Sequence, residues 1–195
     1  MADHPQRPGR KRSEASHRAI LDTTWTLLGE RGYAALTMDE VAVRAGVGKQ
    51  TIYRWWRSKG ELVLEALTLS IKTRVSAGPT LRKGLEAYLG GFVRSLWGHD
   101  GVATIMAGLM ADSQLDPAFS SVFREQVLSP HRTALLSIFR HHNDGSPYAE
   151  LLVDMALGAI WYRVMSAADE IDDGELESLA RDLARLSERH RERSS

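Results

Sequence analysis

Apolar positions in this chain recur at intervals of three and four rather than two, which predicts an all-α protein of about nine helices and no sheet. The first predicted helix runs from Ser13 or Ser16 to Arg31, with Ile20, Thr24, Leu27 and Leu28 on one face and Gly32 ending it. Tyr33 and Leu36 carry apolar contacts out of that turn. Thr37-Met38-Asp39-Glu40 has the form of a capping box, in which Thr37 accepts from the backbone N–H of Glu40 and Glu40 reaches back to that of Thr37. A second helix therefore begins at residue 37, turns Val41 and Ala42 inward and stops near Ala45-Gly46. A third, two turns long, runs from Lys49 to Trp56 with Ile52 and Trp56 on its buried side. Ser58-Lys59-Gly60-Glu61 repeats the capping pattern and opens a longer fourth helix through Val63, Leu64, Leu67 and Ile71 towards Gly78-Pro79.

Beyond it the pattern predicts helices at about 80–97, 101–111, 117–142, 147–167 and 173–190, with Pro130 kinking or splitting the third of these. Asp116-Pro117 and Ser146-Pro147 each set a capping side chain before a proline at the first helical position.

Two short helices separated by a glycine turn, the second too small and too polar for a core element, make a helix-turn-helix pattern. The second helix offers Lys49, Gln50, Thr51, Tyr53, Arg54 and Trp55 on the side opposite Ile52 and Trp56. Hydroxyls and cations there suit phosphate oxygens, and Gln or Lys near the helix start suits base edges. Lys59 opens the next helix, where its charge adds to the terminal N–H groups in holding a phosphate.

Charge sharpens this picture. The chain of 195 residues has no net charge, yet residues 1–60 carry eleven Lys and Arg against six Asp and Glu, and the remainder is acidic by the same margin. A basic head on an acidic body points to a polyanionic partner for the head, and the helix-turn-helix pattern makes double-stranded DNA the expected one. The basic run Arg7, Arg10, Lys11 and Arg12 reads equally as a solvated tail or as an arm along the minor groove. Cysteine is absent, which removes disulfides, thiolate metal sites and cysteine nucleophiles, and no segment reaches the roughly 18 apolar residues of a membrane span. The expectation is a cytoplasmic protein that needs no membrane. Its seven histidines are scattered without metal-ligand spacing, so neither a metal nor a cofactor is expected. No nucleophile elbow, phosphate-binding glycine loop or credible carboxylate pair supports an enzyme.

Residues 13–73, carried by ILDTTWTLLGERGYAALTMDEVAVRAGVGKQTIYRWWRSKGELV, resemble the DNA-binding domain of TetR-family transcriptional regulators. The resemblance sets the helix-turn-helix at residues 37–56. It implies phosphate contacts for Thr37, Thr51, Tyr53 and Lys59, and base contacts for Lys49, Gln50 and Arg54. Trp55 stands where family members often carry His or Tyr. Residues 74–195 resemble the family's regulatory body more weakly, through SQLDPAFSSVFREQVLSPHRTALLSIF and GAIWYRVM. That resemblance implies a helical bundle that dimerises through its last two helices and often encloses a small apolar effector.

For the dimer seam the expected residues are Leu176, Leu179, Ala180, Leu183 and Leu186 on the last helix, facing Leu152, Met155, Ala156, Ala159 and Tyr162 on the one before. For the effector cavity they are Phe92, Leu96, Trp97, Met106, Leu109, Met110, Phe123, Trp161 and Tyr162. The expected function is a homodimeric regulator, a repressor released from a near-palindromic operator by an apolar effector. The alternatives are a helix-turn-helix regulator without a small effector, or a small helical enzyme.

Overall fold

The structure, a computed structural model, describes residues 8–70, 76–98 and 101–194. Ile71 and Arg7, and the side chains of Arg10, Lys11 and Arg12, lie outside the described residues. Among those described the chain is helical, with no strand. The elements are α1 (Pro8–Ala35), α2 (Met38–Arg44), α3 (Lys49–Tyr53), α4 (Lys59–Ser70), α5 (Leu81–Trp97), α6 (Val102–Leu115), α7 (Pro117–Phe123), α8 (Ser129–His141), α9 (Pro147–Met165) and α10 (Asp173–Ser194). A π-helical turn, Arg124–Leu128, joins α7 to α8. The single helix predicted at 117–142 is thus one run whose hydrogen bonding loosens just before Pro130, a residue with no N–H to give.

Local chemistry accounts for the element ends. Thr37 Oγ1 accepts from Glu40 N at 3.2 Å and starts α2. The reciprocal half of that box is not made, because Glu40 pairs with Arg31 at 2.9 Å. Ser58 caps Glu61 N at 3.2 Å, while the Glu61 carboxylate takes the N–H of Arg57, one residue earlier than expected. Asp116 accepts from Ala118 N and Phe119 N, and Ser146 from Ala149 N, both ahead of prolines as the sequence predicts. α1 begins earlier than expected, at Pro8, whose fixed φ suits a first helical position. It breaks at Gly32 as expected.

The head is α1 to α3 packed on α4, with Ile20, Leu27, Leu28, Leu36, Val41, Ala42, Ile52 and Trp56 buried together. Thr24 is buried on the same face and donates its hydroxyl to Ile20 O, so no polar group is stranded there. α4 then lies against α6 and α7, and α1 against α6, which ties the head to the body. In the body, α5 packs on α6, α8 and α10, while α9 packs on α6, α8 and α10.

That arrangement corrects part of the expected seam. Leu176, Ala180 and Leu183 on α10, and Leu152 and Ala156 on α9, are buried inside the protomer. A stripe at helical spacing says that a face is covered, and here the chain's own helices cover it, α5 above all. No described helix is long and apolar enough to cross a membrane.

Candidate nucleic-acid interface and body cavity

The turn between α2 and α3 is a Schellman closure. Val47 N donates to Ala42 O at 3.0 Å and Gly46 N to Val43 O at 3.2 Å, with Gly46 at φ 65°, where a side chain would be strained. This tight reversal sends α3 across the head with Ile52 buried beneath it. Lys49, Gln50, Tyr53 and Arg54 are exposed on the other side, and Thr51 is half-buried. Thr37, also exposed, uses its oxygen lone pair for capping, so its proton remains available to an acceptor.

Two of the expected DNA-facing cations are already engaged. Lys49 Nζ lies 2.6 Å from Asp39 on α2, and that carboxylate holds its pKa above the usual lysine value. Lys59 donates to the Tyr33 carbonyl at 3.2 Å and sits 4.1 Å above the Tyr33 ring. α3 ends at Tyr53, so Arg54 and Trp55 fall on the turn after it. Trp55 turns back over α1, its ring 4.5 Å from His17, which in turn stacks on Trp56 at 4.9 Å. His17 Nε2 is 3.1 Å from Glu65, and Trp56 Nε1 donates to the same carboxylate at 2.7 Å.

Lys59 leads directly to the body. The hydroxyl of Tyr33, whose ring carries the Lys59 ammonium, donates to the Asp112 carboxylate on α6. Burial, reinforced by Asp112, raises the Tyr33 pKa, so the phenol keeps its proton. A Cβ on Gly108, one turn before Asp112, would stand 2.4 Å from the Tyr33 ring; only glycine allows this approach. The sequence offered Tyr33 as a core residue but gave no sign of its partner 79 residues away.

A cavity of about 270 Å³ lies where α4, α5, α6 and α8 meet. Of the residues expected to line it, Phe92, Leu96 and Met106 do. Leu109 and Phe123 are buried in the core instead, and Trp97, Met110 and Trp161 are half-buried against that core. Trp161 meets Phe92 and Phe123 edge-on behind the wall. Tyr162 is 72% exposed on the outer side of α9 and has no part in the cavity. Sequence reasoning missed the remaining wall: Leu64, Leu67 and Thr68 from α4, Tyr88 and Ser95 from α5, Val102 from α6, and Gln126, Val127, Pro130, His131 and Ala134 around the π-turn and α8. Tyr88, Phe92, Ser95 and Leu96 share one face of α5, a periodic signal that marks Tyr88 and Ser95 once Phe92 is chosen. His131, one of seven scattered histidines, carried no such signal.

The outer side of α9 is apolar as well. Leu151, Met155, Tyr162 and Met165 are each about half exposed or more, and with exposed Gly158 they advance in steps of four and three, the spacing of a helix seam. Beside them on α10, Leu179 and Leu186 are half-buried.

The model for bacterial regulatory proteins of the TetR family matches residues 20–66, and that for the tetracyclin repressor-like C-terminal domain matches residues 77–183. The chain is 29% identical to an uncharacterized HTH-type transcriptional regulator of Bacillus subtilis, YdeS, over 90% of this chain and 89% of that protein. It is 30% identical to the DNA-binding transcriptional repressor TetR of Mycobacteroides abscessus over 61% of this chain and 63% of that one. The crystal structure of a TetR family transcription regulator, SCO0332, superposes with a TM-score of 0.68 at 25% identity, covering 87% of this chain and 96% of that chain. With a model match that alone spans more than half its length, the chain belongs to the TetR family of DNA-binding transcriptional regulators.

Proposed function

We propose that this protein is a homodimeric repressor whose grip on a near-palindromic operator is relaxed by a small molecule held in the body cavity. Two copies of α3 enter successive major grooves, with half-site centres about 34–36 Å apart or somewhat more. Gln50 and Arg54, exposed and with no acidic partner among the described residues, read bases, and Lys49 joins them once it exchanges Asp39 for DNA. Thr37, Thr51, Tyr53 and Lys59 hold phosphates. Trp55, turned towards His17, buttresses the head rather than reading DNA.

The observation that carries this reading is the double service of α6. Its first half supplies Val102 and Met106 to the cavity wall, and its second half supplies Gly108 and Asp112 to Tyr33, on which Lys59 rests. A molecule that fits the cavity better when α6 is displaced therefore draws Tyr33 and Lys59 with it, and operator affinity falls by linkage. α4 supports the same coupling, because it lines the cavity with Leu64, Leu67 and Thr68 and begins at Lys59. A half-open, largely apolar pocket in the body gives a small molecule a place to bind, which favours this reading over a regulator without a small effector. The family consists of transcriptional regulators, which speaks against an enzyme.

Selection from a random duplex pool with the full-length protein tests the proposal. Enrichment of one two-fold symmetric motif is expected. A pool that stays unenriched at modest salt, or an asymmetric single half-site, overturns it.

A further inference from the structure

Among the described residues, the cavity wall contains no Asp, Glu, Lys or Arg. Its polar groups are mostly satisfied from within. Thr68 donates to Leu64 O at 2.6 Å and Ser95 to Phe92 O at 2.7 Å, so both hydroxyl protons are spent on their own helices. Tyr88 Oη lies 2.7 Å from His131 Nδ1, and the His131 ring stacks on Phe92 at 3.9 Å. Neither ring makes another hydrogen bond among the described residues. If Nδ1 carried the proton, the Tyr88 O–H and the Nε2 lone pair would both lack partners; with Tyr88 donating to Nδ1 and the imidazole proton on Nε2, a single group, Nε2–H, is left over, and fewer stranded polar groups favour that arrangement. Burial keeps the ring neutral, pushing its pKa down to about 4 and that of Tyr88 up to about 12. Nε2–H is then an uncommitted donor in a half-open, largely apolar pocket whose described residues carry no charge, and exposed Gln126 on the π-turn lines the same pocket.

We propose that the cavity takes an uncharged, mainly apolar ring compound with one hydrogen-bond acceptor, a ketone or similar carbonyl, received by His131 Nε2–H and stacked beside Phe92. This rests on the effector reading above and names the chemistry of its ligand. A carboxylate or ammonium would lose hydration with no counter-ion among the described wall residues, whereas a plain hydrocarbon would leave the Nε2 proton unpaired. At about 270 Å³ the space lies near the lower end of ligand cavities, which restricts the occupant to one or two rings.

Calorimetric titration of the full-length protein, without DNA, compares 2-acetylnaphthalene, naphthalene and 2-naphthoate. The ketone is expected to bind about threefold to tenfold more tightly than naphthalene, the worth of one net hydrogen bond, and the carboxylate more weakly than both. His131→Phe is expected to erase the ketone's advantage over naphthalene. Nitrogen NMR of the wild-type protein supplies a readout independent of any variant: the His131 Nε2–H resonance is expected to move with the ketone and not with naphthalene. A carboxylate that binds as well as the ketone, an advantage that survives in His131→Phe, an unmoved Nε2–H, or no binding of either neutral probe overturns the proposal. Because no DNA is present, each failure leaves the operator reading standing; a protein that takes the ketone yet enriches no motif would instead remove the regulatory role alone.

Discussion

Tyr53 projects from the exposed side of α3 with its hydroxyl making no hydrogen bond among the described residues. If that hydroxyl meets a phosphate, Tyr53→Phe should weaken binding to every duplex by the same factor, up to about tenfold, the worth of roughly 1.5 kcal/mol. Anisotropy titrations on the selected operator and on a scrambled duplex check this, and a loss confined to the operator would make Tyr53 a base reader. His131, half-buried on the pocket wall, gives a second expectation at this scale. Its pKa falls from an ordinary 6.5 to about 4, so between those values the unfolded chain binds a proton that the folded protein refuses. The stability due to its neutral form is complete above about pH 6.5 and is lost as pH drops towards 4, on the order of 3 kcal/mol. Urea denaturation at pH 7 and pH 5 is expected to show a larger loss for the wild-type protein than for His131→Phe; equal losses would place the acid sensitivity in other groups.

α6 and α1 give glycine two different meanings that denaturation can separate. Gly108→Ala drives a methyl group into the Tyr33 ring and is expected to cost about 1–3 kcal/mol. Gly29→Ala, in α1 with open space around it, is expected to gain about 0.5–1 kcal/mol from helix propensity alone. Similar melting shifts for the two would mean that α6 does not press on Tyr33. Element starts were legible in the sequence because caps act within a single turn: Thr37, Asp116 and Ser146 all do what their spacing requires. The inward faces of α1 and α2 were legible for the same reason, as were the exposed residues of α3 opposite Ile52. What a covered face is covered by was not legible. Leu183 and its neighbours formed the sharpest stripe in the chain, yet α5 claims it. α9 is apolar nearly all round, so its sequence could not say which side its own protomer would leave bare. The cavity was only partly legible, since its wall draws on four helices remote in sequence and its hydrogen-bonding residue is a lone histidine.

At the scale of the whole molecule, the bare side of α9 and the covered side of α10 call for different outcomes. Tyr162→Asp puts a charge on the exposed stripe and is expected to give a folded monomer by sedimentation, with operator binding reduced because the paired heads are lost. Leu183→Asp buries an unpaired carboxylate and is expected to unfold the protomer instead. A stable dimer in the first variant would move the interface elsewhere. The contact between Tyr33 and α6 also limits how such proteins can be recombined. Because the ring is seated on Gly108 and its hydroxyl on Asp112, a chimera that grafts this head onto another regulator's body would leave an aromatic face and a phenol without their socket. The exchangeable unit includes the middle of α6, so a transplant cut after α4 would carry the helix-turn-helix across while leaving behind the seat that fixes Tyr33, and with it Lys59.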